Sequence, residues 1–145
     1  MLTKEPSFAS LLVKQSPAMH CGHGWIMVDH LYVKQSYIDE IIRIMHAEGP
    51  YVVITRHVAL PHTKPSAGAL RCGIGITSLK EGVCFGSAEH DPIKYIFTLS
   101  ALDNESHLTA MSQLLELFND TAFYRLLDQC TSSIEVVEYI KQACK

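Results

Sequence analysis

Residues 93–101 constrain the fold of this chain more than any other stretch. Tyr95-Ile96-Phe97-Thr98-Leu99 is a continuous apolar and β-branched run, the strongest strand signal present. Asp103-Asn104-Glu105 follows at once and opens a helix with the apolar stripe Leu108, Met111, Leu115 and Phe118. A strand that feeds directly into an amphipathic helix calls for a layered α/β arrangement, and the rest of the chain supplies the layers. Ser36 can cap a helix with Asp39 three residues on, and Ile38, Ile41, Ile42 and Met45 give its stripe. Gly49-Pro50 stops that helix. Tyr51-Val52-Val53-Ile54 reads as a short buried strand, and Val58-Ala59-Leu60 as a second apolar run ending at Pro61-His62. Residues 63–68 carry loop chemistry, residues 73–79 form a strand, and Glu81-Gly82 turns the chain. Two shorter helical patterns close it, the last capped by Ser132 with Glu135 ahead of Val136, Val137 and Ile140. Near the N-terminus, Ser16-Pro17 opens a helix through Met19, Ile26 and Leu31, weakened by Gly22 and Gly24. The expectation is a mixed sheet with helices on its faces.

At 145 residues the chain is expected to be a single domain, 1–145. Hydrophobic residues at 48% and charged residues at 19% give enough burial for a core without metal or disulfides. The net charge of −3 lacks the basic excess of a nucleic-acid binder. No apolar run suggests a membrane span, and the first residues do not read as a secretory signal, so a cytoplasmic location is expected. The five cysteines are irregularly spaced with no CxxC pair, which reads as reduced packing residues. His20-Cys21-x-His23 lacks a second ligand pair at zinc spacing, so no metal and no cofactor is expected.

Eight histidines remain as carriers of chemistry, and two stand out. His62 follows Pro61 at the end of a strand-like run, where ligands bind in open α/β sheets. His107 lies in the first turn of a helix, where free N–H groups and the helix dipole favour anions. Taken alone, His62 reads first as a turn histidine and His107 first as a surface residue at a helix start.

The ordered set Gly49-Pro50-Tyr51, Val58-Ala59-Leu60-Pro61-His62-Thr63-Lys64-Pro65, Lys80-Glu81-Gly82-Val83, Phe85-Gly86, Asp91-Pro92-Ile93 and Asp103-Asn104-Glu105-Ser106-His107-Leu108 resembles the IIA components of the bacterial phosphoenolpyruvate-dependent phosphotransferase system. The resemblance is to the mannitol/fructose superfamily, and within it to the ascorbate-type branch. It covers the chain from about residue 25 onward. It implies a mixed, mostly parallel sheet flanked by helices, the mannitol-type IIA fold. It also implies that His62 accepts the phosphoryl group and that His107 holds it through a hydrogen bond. The donor would be phospho-HPr and the acceptor a IIB component, ascorbate-type, serving a membrane IIC. A regulatory IIA-like module that binds a target according to phosphorylation state is the alternative; a free-standing chain favours transport. The chain departs from the family in having Arg56-His57 where ascorbate-type members often carry Pro-Gly. It also has His46-Ala47-Glu48 where mannitol-type members carry an arginine.

The chemistry suits imidazole. Neutral imidazole is a nucleophile that also leaves readily, and its ordinary pKa of about 6.5 keeps a lone pair available near neutrality. The protein must then align the groups and stabilise charge on the equatorial oxygens. His107 and the amides beside it are candidates for that task, with Thr63 as an extra donor and Lys64 and Arg56 as nearby positive charge. Leu60, Leu70 and Leu108 are candidates for a small docking face.

Overall fold

A computed structural model describes residues 11–16, 27–28, 31–129 and 133–143. Five strands form one sheet: β1 (Leu11–Ser16), β2 (Val53–Thr55), β3 (Val58–Ala59), β4 (Gly73–Val83) and β5 (Ile93–Ser100). Among the described residues the helices that accompany them are α1 (Gln35–Glu48), α2 (Asn104–Leu117), α3 (Thr121–Gln129) and α4 (Ser133–Ala143). A 3-10 turn spans Pro65–Ala67. The strand order is β1-β4-β5-β3-β2. Parallel and antiparallel ladders alternate across it: β1 runs parallel to β4, β4 antiparallel to β5, β5 parallel to β3, and β3 antiparallel to β2. The expected mixed sheet with flanking helices is thus what forms.

Two apolar layers cover the sheet. On one face Phe97, Leu99, Ile74 and Ile76 pack against Ala110, Leu114 and Leu117 of α2, Phe123 and Leu127 of α3, and Val136 and Ile140 of α4. On the other, Ile96, Ala59 and Leu79 pack against Tyr37, Ile38 and Ile41 of α1. Alternate residues of β5 go to opposite layers, which is why its sequence is apolar without a break.

Several local expectations change. Residues 11–16 form β1, which the sequence reading did not anticipate, while the helix expected over residues 16–31 lies mostly outside the described residues. Ser36 does not cap α1; Lys34 holds the cap position, and the Ser36 hydroxyl instead donates to the Ala67 carbonyl at 2.7 Å. Glu81-Gly82 is not a turn. β4 continues through it with a register break between Ser78 and Val83, and the chain reverses further on, where the Asp91 carboxylate accepts from the amides of Phe85 and Gly86. Gly82 is there for space: a Cβ would lie 2.5 Å from Pro92 Cβ. In α2 the buried stripe is Ala110, Leu114 and Leu117 with Phe118 just beyond, whereas Leu108 and Leu115 are exposed. Cys72 is half-buried and free, but Cys84 is exposed and so is not a packing residue. The proposed Ser132 cap lies outside the described residues. Among the described residues no helix is long and apolar enough to cross a membrane.

Candidate active site

The parallel pairing of β3 with β5 decides where the two histidines meet. Val58 pairs with Tyr95 and Ala59 with Ile96, so both strands end at the same edge of the sheet. Beyond β3 the chain runs Leu60-Pro61-His62; beyond β5 it enters α2. The Leu99 amide donates to the Pro61 carbonyl at 3.0 Å and keeps the two exits together. His62 and His107 therefore face each other, ring centroids 5.2 Å apart and planes inclined at 43°. They line an open cleft of about 250 Å³ with Tyr51, Thr63, Lys64, Pro65 and Asn104.

The His62 ring has a defined proton. Its Nδ1 lies 2.6 Å from the Leu60 carbonyl oxygen. A carbonyl only accepts, so Nδ1 carries a hydrogen, and in the neutral ring the lone pair is then on Nε2. The strand end that presents His62 thus also selects its tautomer. Tyr51 stands edge-on to the imidazole, centroids 6.0 Å apart, and its hydroxyl donates to the His62 carbonyl at 2.7 Å. Burial pushes the Tyr51 phenol up to about 12, so it stays a donor at neutral pH.

His107 is half-buried in the first turn of α2. Burial, and then the neighbouring His62, hold its pKa below the ordinary histidine value. Its ring is thereby biased toward the neutral form, which has one N–H to offer a third group. The backbone amides expected beside it are partly spoken for: Asp103 caps α2, its carboxylate accepting from the Ser106 amide at 2.7 Å. The other residue of that turn that reaches the cleft is Asn104.

Of the remaining candidates, Thr63 and Lys64 line the cleft. Arg56 does not. It sits in the turn at the start of β3, the opposite end from His62, where its Nε donates to His57 Nε2 at 3.2 Å. Leu60 is fully buried and is core, while Leu70 and Leu108 are exposed. Sequence reasoning missed Tyr37, Tyr51 and Asn104. Tyr37 is buried in α1, and its hydroxyl meets Leu99 and Thr63, partners 62 and 26 residues away that no local pattern reveals. Asn104 had a signal, since it lies three residues ahead of His107 on the same helix turn.

Two facing histidines at a sheet edge, one with its Nδ1 tied to a carbonyl, form an arrangement that can serve nucleophilic group transfer. Comparison with known proteins names the class. Residues 24–143 match the family model described as "Phosphoenolpyruvate-dependent sugar phosphotransferase system, EIIA 2". The chain is 33% identical over 116 residues to the mannitol-specific cryptic phosphotransferase enzyme IIA component of Escherichia coli strain K12, covering 80% of this chain and 78% of that one. It is 30% identical over 109 residues to the ascorbate-specific EIIA component of Salmonella choleraesuis, covering 74% and 71%. The solution structure of the E. coli cryptic mannitol IIA superposes with a TM-score of 0.72 at 30% identity, covering 96% and 95%. The chain belongs to the EIIA 2 family of the sugar phosphotransferase system. It is a phosphotransferase component that passes phosphate through a phosphohistidine.

Proposed function

We propose that His62 is the phosphorylated residue, at Nε2, and that His107 donates a hydrogen bond to the phosphoryl oxygens. The observation that carries this is the pairing of the rings at 5.2 Å with His62 Nδ1 tied to the Leu60 carbonyl. The Nε2 lone pair attacks phosphorus as the donor's P–N bond breaks, and the reverse step hands the group on. His107 and Asn104 stand on the far wall of the cleft, where charge on the equatorial oxygens develops. Thr63 lines the same cleft and adds a third polar side chain. The transferred group passes between protein side chains and needs no cofactor.

The donor in this reading is phospho-HPr, and the acceptor is a IIB component of the ascorbate type that serves a membrane IIC. A IIB partner is supported by the fold's likeness, TM-score 0.72, to a IIA solved in complex with phosphorylated IIB, the E. coli mannitol pair. Relatives of mannitol and ascorbate types match at nearly equal identity, so the ascorbate assignment leans on Gly49-Pro50-Tyr51, the longer spacing from Tyr51 to Val58, and the Asp103–His107 element.

The test is phosphorylation with phosphoenolpyruvate, Enzyme I and HPr. Wild-type protein is expected to take up acid-labile label, and His62→Ala to take up none while keeping its circular dichroism spectrum. Full labelling of His62→Ala would overturn the assignment.

A further inference from the structure

One peptide unit beside the cleft, that joining His62 to Thr63, is held at both edges by tyrosine hydroxyls. Its carbonyl accepts from Tyr51 Oη at 2.7 Å. Its N–H donates to Tyr37 Oη at 3.2 Å. The single proton of Tyr37 goes to the Leu99 carbonyl, 2.7 Å away, in preference to the Thr63 carbonyl at 3.3 Å. That leaves the Tyr37 oxygen as an acceptor facing the Thr63 amide. The two phenols come from different places, Tyr37 from α1 and Tyr51 from the segment ahead of β2.

The geometry has a mechanical consequence. A peptide is planar, so its C=O and N–H turn together about the flanking torsions. With one edge bonded, the plane can swing about that contact. With both bonded, it turns only by breaking two hydrogen bonds at once. Water cannot replace the Tyr37 bond, because Tyr37 is 1% exposed. On the other side of His62, the Pro61 carbonyl is held by the Leu99 amide and the imidazole by the Leu60 carbonyl. His62 is thereby fixed through its ring and through the backbone on both sides. If filling volume were the only task, phenylalanine would serve at both positions.

We infer that Tyr37 and Tyr51 are positioning residues for phosphoryl transfer, clamping the His62–Thr63 peptide so that Nε2 is aimed across the cleft. The inference rests on His62 being the phosphoryl acceptor. A misplacement of about 1 Å at a reacting centre costs up to about 10²-fold in rate, and losing one edge of the clamp is a smaller disturbance, about 10-fold.

The experiment uses the full chain as wild type, Tyr51→Phe, Tyr37→Phe and the double variant, with phospho-HPr as phosphodonor. The labelled residue is first mapped in the wild type. Label away from His62 would overturn the acceptor assignment and the clamp with it. With label on His62, each single variant is expected to lose about 10-fold in saturating transfer rate with little change in half-saturating donor concentration. The double variant is expected to fall no further than the worse single one, because freeing either edge releases the plane. In ¹⁵N spectra the His62 ring is expected to be one tautomer in the wild type and a mixture in the variants. Should Tyr37→Phe fail to fold, Tyr51→Phe decides alone, since its ring is only half-buried. A wild-type transfer rate per folded molecule in Tyr51→Phe, whatever its melting temperature, would sink the clamp while leaving the His62 assignment intact.

Discussion

A histidine that shuttles phosphate must hold one lone pair free and leave the second ring nitrogen engaged. In the proposed role His62 meets that need through a carbonyl two residues back, and His107 meets a different one. Its half-burial keeps the ring neutral at pH 7, with an N–H available for an oxyanion. Replacing His107 by Ala is expected to leave the acceptor in place and slow transfer by about 10²–10³. Rapid-quench measurement of transfer in both directions checks this, and unchanged rates would mark His107 as structural. The same burial ties stability to pH. The folded-state pKa of His107 lies below its unfolded value, so the unfolded chain binds the proton first as pH falls. The stabilisation is complete above about pH 6.5, the unfolded value, and is lost as pH falls through the lower folded value. Wild-type urea midpoints are therefore expected to fall more steeply below that pH than those of His107→Gln. Parallel curves would remove the linkage. At this scale the two histidines were legible because each is flagged locally, one by a preceding proline and one by a helix start. Tyr37 was not legible, because it acts on Leu99 and Thr63 through the tertiary fold alone, and Tyr51 showed only as part of the Gly49-Pro50-Tyr51 element, without a role.

The elements carry the site through a tight joint between α1 and the turn after His62. Ser36 at the start of α1 donates to the Ala67 carbonyl, and the Lys34 amide donates to the Gly68 carbonyl at 2.8 Å. Gly68 has φ +143°, and a Cβ there would meet Ser36 Oγ at 2.7 Å, Lys34 Cβ at 3.1 Å and the Tyr37 amide nitrogen at 3.2 Å. Gly68→Ala adds backbone strain to a clash with the hydrogen-bonded Ser36 hydroxyl and a tight contact with the helix backbone, and a loss of about 2–3 kcal/mol is expected. Equilibrium denaturation measures it, and a loss under about 0.5 kcal/mol, the range of an ordinary surface change, would contradict the joint. Glycine at residue 68 reads in the sequence only as loop chemistry, because its neighbours Lys34 and Ser36 are distant in the chain. Periodicity likewise misled in α2. Of the stripe Leu108, Met111, Leu115 and Phe118, Phe118 is buried and Met111 packs against the core, but Leu108 and Leu115 are exposed, and a second helical stripe, Ala110, Leu114 and Leu117, lies on the same helix. Burial chose the second, whose small Ala110 lies in the core beside Phe97 and Phe118. Strand β1 escaped notice because Leu11-Leu12-Val13-Lys14 is too short a run to separate strand from helix by pattern.

In the proposed relay the molecule as a whole meets a donor and an acceptor in turn at one open cleft. Each contact is therefore small and short-lived, and specificity has to come from shape and charge around His62. The surroundings offer apolar positions that the core does not use. Leu108 directly follows His107 and is 65% exposed, and Leu102 lines a second groove that shares Pro65 and Asn104 with the cleft. None of these residues needs to touch the transported sugar or sugar acid, because a IIA component handles only phosphate and two proteins. What the chain encodes is the choice of partner. Two of the features on which the proposed ascorbate-type assignment rests are at the site. Tyr51 of Gly49-Pro50-Tyr51 bonds the His62 carbonyl, and Asp103–His107 builds the opposite wall. Partner surfaces that fit these walls exclude others by mismatch as much as they gain by fit. Labelled protein is expected to transfer faster to a small ascorbate-type IIB than to a mannitol-type IIB at equal concentration. Each tenfold preference corresponds to about 1.4 kcal/mol of differential binding in the transfer complex. Equal rates, or a preference for the mannitol type, would defeat the ascorbate assignment and leave phosphoryl transfer through His62 standing.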